Sequence, residues 1–206
     1  MAMNTYPVVY AQDPPENRNR LTVFFRFFCV IPHFIWMCLY AIGLFVVVVI
    51  AWFAIVFTGR WPAALYDFAS GFLRYAARVY GYMYLVTDVY PPFDGGEHPE
   101  YPVQFVIAPP KESYSRLKAF FRVILAIPIY IVQYLFSLWL FVVAVALWFV
   151  AVITGKTPAG LTEAMRMPMA FYLRANAYFY LVTEDWPPFD PGPGVAQHEP
   201  PVPIAA

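Results

Sequence analysis

Charge is scarce in this chain. Of 206 residues only 13% are Asp, Glu, Lys or Arg, and thirteen acids against thirteen bases leave a formal net charge of zero. Nucleic-acid binding rests on neutralising phosphates and releasing counterions, so this balance excludes a nucleic-acid partner. Cysteine is nearly absent. Cys29 and Cys38 both fall in the first apolar region, where two thiols build neither a disulfide scaffold nor a four-ligand zinc site, and they are expected to pack as small apolar residues. The histidines are His33, His98 and His198. A bis-histidine haem or a metal centre needs ligands on facing helices, and only His33 lies near a long apolar run, so no metal and no cofactor is expected. His33 is read as a packing or hydrogen-bonding residue, and His98 and His198 as parts of solvated Pro-rich loops. Glycine-rich phosphate loops, nucleophile elbows and HExxH are also missing. No catalytic residue is expected, and the protein is read as not an enzyme.

Apolar residues are what the chain has, at 61% of the total. Residues 33–57 (HFIWMCLYAIGLFVVVVIAWFAIVF) and 129–153 (IYIVQYLFSLWLFVVAVALWFVAVI) are free of charge. At 1.5 Å per residue each reaches roughly 37 Å, more than the ~30 Å hydrocarbon core of a bilayer. The opening segment is polar and Pro-rich with no signal-peptide pattern, so the first span is expected to act as its own targeting signal.

Shifted by 96 positions, residues 20–94 align with 116–190 without a gap, and about 32 of the 75 pairs are identical. RLTVFFRFFCVIP matches RLKAFFRVILAIP, WFAIVFTGRWPAAL matches WFVAVITGKTPAGL, and YMYLVTDVYPPFD matches YFYLVTEDWPPFD. Repetition therefore organises the chain: a polar Pro-rich segment (1–19), membrane repeat 1 (20–94), a Pro/Gly-rich linker (95–115), membrane repeat 2 (116–190) and a Pro-rich tail (191–206). Tyr-Pro-Val at Tyr6 recurs at Tyr101, which loosely extends the unit into the segment before it. The fold class expected is an all-α integral membrane protein of two tandem repeats. Each repeat has a leading helix, a long transmembrane helix, a tight turn, a second Arg-striped helix and a polyproline-type exit strand, for four spans in total as two parallel-related hairpins.

The set FFR, then IP, then a long apolar span ending in WF and TG[RK]xP, then an Arg-bearing helix closing on YLVT[DE]xxPPF resembles the family called domain of unknown function 4389. The resemblance covers roughly 150 residues in two copies and implies a bacterial membrane protein with tandem domains. It supplies no activity and no catalytic residue.

Pro62 and Pro158 suit the first turn of a new helix after Thr-Gly-basic turns. In the second helix of repeat 1, Asp67, Ser70, Arg74 and Arg78 recur every three or four residues on one stripe. Glu163, Arg166 and Arg174 hold that stripe in repeat 2. Spanning hairpins would set Arg78 and Arg174 at equal depth in apolar surroundings, compensated by Asp67 and Glu163, by carbonyls freed near Pro32 and Pro128, or by a lipid phosphate. An interfacial placement of these helices is the alternative. If each repeat is a hairpin, Arg26 is expected to reach Asp88 and Arg122 to reach Glu184. These pairs would fix hairpin geometry, or else Arg26, Arg78, Arg122 and Arg174 would hold an anionic lipid headgroup or substrate. The exit aromatics, Tyr80 to Tyr90 and Tyr178 to Trp186, read as an interfacial belt.

Lys and Arg are denser on the side of the N-terminus and linker, which the positive-inside rule places in the cytoplasm if both hairpins span; with the bacterial source that the resemblance implies, a multi-pass protein of the inner membrane is expected. The function expected is a non-enzymatic accessory or scaffold module. Its partners would be membrane lipids and either a larger membrane protein or further copies of itself. A small transporter or anionic-lipid-binding protein with a site at the repeat interface is the second reading.

Overall fold

The structure, a computed structural model, describes residues 6–12 and 17–191. Most of the tail, including His198, lies outside the described residues, as does part of the N-terminal segment.

Among the described residues seven elements follow one another: β1 (Val8–Gln12), α1 (Arg20–Thr58), α2 (Ala63–Met83), β2 (Val103–Ile107), α3 (Arg116–Phe120), α4 (Arg122–Thr154) and α5 (Ala159–Phe179). The leading helix and the long helix of repeat 1 are one continuous α1, capped by the Asn19 side chain on the Leu21 N–H and running through Pro32. Repeat 2 breaks at Phe121 into α3 and α4. Both long helices stop on glycine in the left-handed region, Gly59 at φ 73° and Gly155 at φ 71°. Their N–H groups bond back to Ile55 and Ala151, as αL caps do. The second helices end without glycine. Val86 N–H reaches the Gly81 carbonyl and Leu85 N–H the Tyr82 carbonyl, and Val182 and Leu181 repeat the pattern on Ala177 and Tyr178. This is a Schellman closure with leucine in the left-handed position, φ 63° at Leu85 and 65° at Leu181. A Cβ there costs about 1–2 kcal/mol, offset by burial of both leucines.

The two repeats face each other in reverse. Trp52 donates from Nε1 to the Ala119 carbonyl at 2.9 Å, and its equivalent Trp148 donates to the Val23 carbonyl at 3.2 Å. The end of each long helix therefore lies beside the start of the other, and the expected pair of parallel hairpins is corrected to an antiparallel pair. α2 and α5 also run antiparallel, with Phe72 against Tyr180 and Tyr80 against Tyr172.

Three layers result. α1 packs on α2 and α4 on α5, while α1 also meets α3 and α4 along its length. On the far side, β2 lies on α2 and β1 on α5, and neither strand touches a long helix. The strands form an antiparallel sheet in the register Val8↔Ile107, Tyr10↔Phe105 and Gln12↔Val103. The expectation of an all-α chain with polar connectors is corrected here. Alternating burial, with Val103, Phe105 and Ile107 inward, is the period-2 pattern of a half-covered strand. The middle of the linker thus covers repeat 1, and the N-terminal segment covers repeat 2.

Buried positions of α1 (Val23, Val30, Met37, Leu44, Ala51 and Ile55 among them) form one stripe, and those of α4 form its counterpart. The opposite face is apolar too, and nothing among the described residues covers it. Of 41 exposed large hydrophobic side chains among the described residues, 35 lie on α1, α3, Phe121 or α4. The uncovered face is therefore a single apolar surface and not a scatter of exposed side chains. Both long helices are long and apolar enough to cross a membrane.

Candidate functional site

Arg26, Arg78, Arg122 and Arg174 are drawn inward, where each must find partners or carry the desolvation cost of a buried charge. Arg26, 3% exposed, donates from Nη1 to the Tyr82 carbonyl at 2.6 Å and the Thr87 carbonyl at 3.0 Å. It pairs through Nη2 with Asp88 and lies over the Tyr82 ring at 4.4 Å. The expected Arg26–Asp88 link is present. Its counterpart is not. Arg122 is stacked over Tyr178 at 3.9 Å, while Glu184 accepts from the Ser115 N–H at 2.5 Å. No ion pair joins Arg122 to Glu184 among the described residues, and Nε and Nη1 of Arg122 lack hydrogen-bond partners. The difference has a local cause. In repeat 2 the helix breaks at Phe121, and Ser115, the cap of α3, claims the carboxylate.

Arg78 and Arg174 share one task, and it is none of those expected. Arg78 donates to the Gly96 carbonyl at 2.8 Å and to the Asp94 carbonyl, with the Asp94 carboxylate 3.6 Å away. Arg174, fully buried, donates to the Asp190 carbonyl at 2.5 Å and the Val8 carbonyl at 3.2 Å. Both arginines therefore fasten the last residue of a Pro-Pro-Phe-Asp segment, and Arg174 also holds the start of β1. Among protein partners, the expected compensation by Asp67, Glu163 or proline-freed carbonyls is corrected to loop carbonyls. Asp67 is exposed, and Glu163 is exposed and paired with Arg166 at 3.0 Å. Neither acid meets Arg78 or Arg174 in an ion pair.

His33 sits in an aromatic cage in repeat 1. Its Nδ1 lies 2.8 Å from the Tyr75 hydroxyl, and its ring stacks on Phe93 at 4.0 Å and adjoins Tyr90 at 4.6 Å. Repeat 2 replaces this set with Ile129, Phe171, Trp186 and Phe189, and Phe171 stacks on Phe189. The packing and hydrogen-bonding role read from sequence is what His33 performs, and Tyr90 and Phe93 close this cage from the loop side.

At the loop, His98 Nε2 lies 2.9 Å from Asp94 Oδ1 and Gly96 N–H donates to the same oxygen at 2.7 Å. The His98 contact, then the Gly96 N–H and the Arg78 charge, hold the Asp94 carboxyl below its usual range. No group of three or more potential metal ligands occurs among the described residues. Sequence reasoning passed over Arg18, which donates to the Leu85 and Val86 carbonyls and lies 3.5 Å from Asp88. It also passed over Trp61, whose Nε1 donates to the Leu181 carbonyl at 2.8 Å, and over two tyrosines. Tyr6 donates to the Asp185 carbonyl at 3.3 Å and Tyr114 to the Val182 carbonyl at 3.4 Å. Burial pushes the Tyr114 hydroxyl up to about 12 and Tyr6 higher still, so both stay neutral donors at any ordinary pH. The recurrence of Tyr-Pro-Val was the available signal for Tyr6 and Tyr101. Tyr101 donates to the Val89 carbonyl, the exact counterpart of Asp185.

No curated protein and no solved structure matches the chain. A family profile described as Domain of unknown function (DUF4389) matches residues 20–94 and again residues 116–190, the two units that the antiparallel helices, leucine caps and Arg-held PPFD segments define. The chain therefore belongs to the DUF4389 family and carries two tandem copies of its domain.

Proposed function

We propose that the protein is a non-enzymatic, membrane-seated scaffold whose long helices lie in the plane of the bilayer interface, with the strand layer turned to water. The carrying observation is the position of exposed acids along α1. The Phe93 ring stacks on His33, and Gly95 packs against Gly71, which itself adjoins Tyr40. Residues 93–97 thus flank the midpoint of a helix that runs from Arg20 to Thr58. Asp94 is 53% and Glu97 75% exposed there. A four-span or two-span placement would hold these carboxylates at mid-bilayer, where ionised side chains are costly and rare.

Length supports the same reading. Exposed large apolar residues run on α1 from Leu21 to Phe57, roughly 54 Å at 1.5 Å per residue. Fitting that into a ~30 Å core needs a tilt of about 56°, beyond the roughly 0–40° that spanning helices adopt. Laid flat, the whole stripe is covered by acyl chains, as in monotopic proteins. The pseudo-twofold relating the repeats then stands along the membrane normal, and both repeats present the same face to lipid. Arg26, Arg78 and Arg174 are occupied in fastening loops, which fits a scaffold better than a transport path. The strand layer and the linker are the surfaces offered to a partner.

Nitroxides at Phe24, Ile35, Phe45 and Phe57, one at a time in a C29S/C38S background, test the placement by depth-dependent relaxation in vesicles. Equal shallow depths are expected. A profile deepest at Ile35 and Phe45 and shallow at both ends would contradict the reading.

A further inference from the structure

Each long helix ends in a Thr-Gly-basic turn, and the turn of one repeat is seated against the helix start of the other. The Gly155 carbonyl accepts from the Arg18 N–H at 2.8 Å, and Asn17 bridges to Lys156. The Gly59 carbonyl accepts from the Tyr114 N–H at 2.8 Å. A side chain at Gly155 would meet Arg20 Nε at 3.2 Å, and one at Gly59 would meet Arg116 Nε at 3.5 Å. Arg20 therefore lies over the turn that carries Lys156, and Arg116 over the turn that carries Arg60. The same juxtaposition is built twice, at opposite ends of the molecule, by residues of different repeats.

These four cations differ from Arg26, Arg78 and Arg174. All four are exposed, and none takes part in an ion pair among the described residues. Each also stands where the apolar face stops. Leu21 (70% exposed) and Ile153 (68%) border Arg20 and Lys156, and Leu117 (69%) and Phe57 (71%) border Arg116 and Arg60. Free cations at the rim of a lipid-sized apolar face stand at the level of headgroup phosphates when that face is immersed. A guanidinium fork offers bidentate geometry to a phosphate, and a second cation beside it adds charge.

We propose that the two turns are anionic-phospholipid clamps, Arg20 with Lys156 and Arg116 with Arg60, each holding a headgroup phosphate at one end of the slab. The proposal rests on the in-plane reading above and moves the lipid contact from the buried arginines to the turns. Charge complementarity with an acidic bilayer surface selects the occupant, and two cations near such a surface favour anionic over zwitterionic lipid by roughly 30-fold.

Each clamp has its own reporter, because Trp148 bonds one turn from Arg20 and Trp52 one turn from Arg116. The full chain is reconstituted in phosphatidylcholine bilayers doped with brominated phosphatidylglycerol or brominated phosphatidylcholine. The signals of the two indoles are isolated by difference against W148F and W52F proteins. Stronger quenching by the brominated phosphatidylglycerol is expected at both, weakening with salt. The R20Q/K156Q variant is expected to lose the preference at Trp148 and keep it at Trp52, and R60Q/R116Q to do the converse, so each variant controls for folding of the other end. Equal quenching by the two lipids in the unaltered protein overturns the proposal, as does loss at both reporters from either variant alone. A depth profile deepest at mid-helix with the lipid preference intact would sink the in-plane reading and leave the clamps standing. Uniform depth without preference would do the reverse.

Discussion

Arg78→Met and Arg174→Met are each expected to destabilise the protein by about 3 kcal/mol and to free the Pro-Pro-Phe-Asp segments. Each guanidinium satisfies two backbone carbonyls, Asp94 and Gly96 for Arg78, Asp190 and Val8 for Arg174. A hydrogen bond from a charged donor contributes roughly 1.5–3 kcal/mol, and its removal leaves the acceptor unsatisfied. Methionine fills most of the volume, so the loss reads out hydrogen bonding more than packing. For a chain of this size about 3 kcal/mol lowers the unfolding midpoint by roughly 6–12 °C. Amide exchange is expected to rise in residues 88–98 for the first variant and in 185–190 with β1 for the second, each change confined to the segments that its arginine fastens. Shifts under about 2 °C with unchanged exchange would mean that the loops are held by other contacts.

Arg26→Met is expected to cost about 3 kcal/mol, whereas Arg122→Met at the equivalent position is expected to cost no more than about 1 kcal/mol. Arg26 holds two carbonyls and Asp88 together. Its loss leaves that carboxylate with Arg18 at 3.5 Å as its remaining ion-pair partner. Arg122 keeps a face-on contact with Tyr178 but no carboxylate, and its unpaired Nε and Nη1 already carry a desolvation cost that methionine removes. An R26M/D88N double variant is expected to recover part of the loss, since the unbalanced acid goes with the arginine. Parallel thermal unfolding of the three proteins measures the contrast, and equal losses at positions 26 and 122 would show the repeats to be electrostatically alike.

The one-dimensional signals read well where the physics is local. The 96-residue offset, the glycine stops at Gly59 and Gly155 and the helix starts after Pro62 and Pro158 all follow from backbone chemistry that sequence displays. The relation between the repeats was not legible, because an internal duplication fixes similarity and not the axis that relates the copies. Two parallel hairpins and two antiparallel helices share one repeat pattern. Trp52 and Trp148 decide it through carbonyls of Ala119 and Val23, and backbone acceptors leave no trace in composition. The same limit hid the task of Arg78 and Arg174, for which carboxylate partners were sought while the loop supplied carbonyls. β1 and β2 were read as connectors since prolines flank both, although Val103, Phe105 and Ile107 stand at alternate positions of β2 as strand residues do.

The sidedness of the two ends of α1 tests the central claim most directly. Asn17 precedes α1, and Ser113 lies 3.9 Å from the Cβ position at Gly59 where α1 ends. Single cysteines at Asn17→Cys and Ser113→Cys in a C29S/C38S background, probed with a membrane-impermeant maleimide on sealed vesicles, report which compartment each end faces. The in-plane account requires both to react from the same side and both to be protected from the other. Reaction of one from outside and the other only from inside would mean that α1 crosses the bilayer and would contradict it.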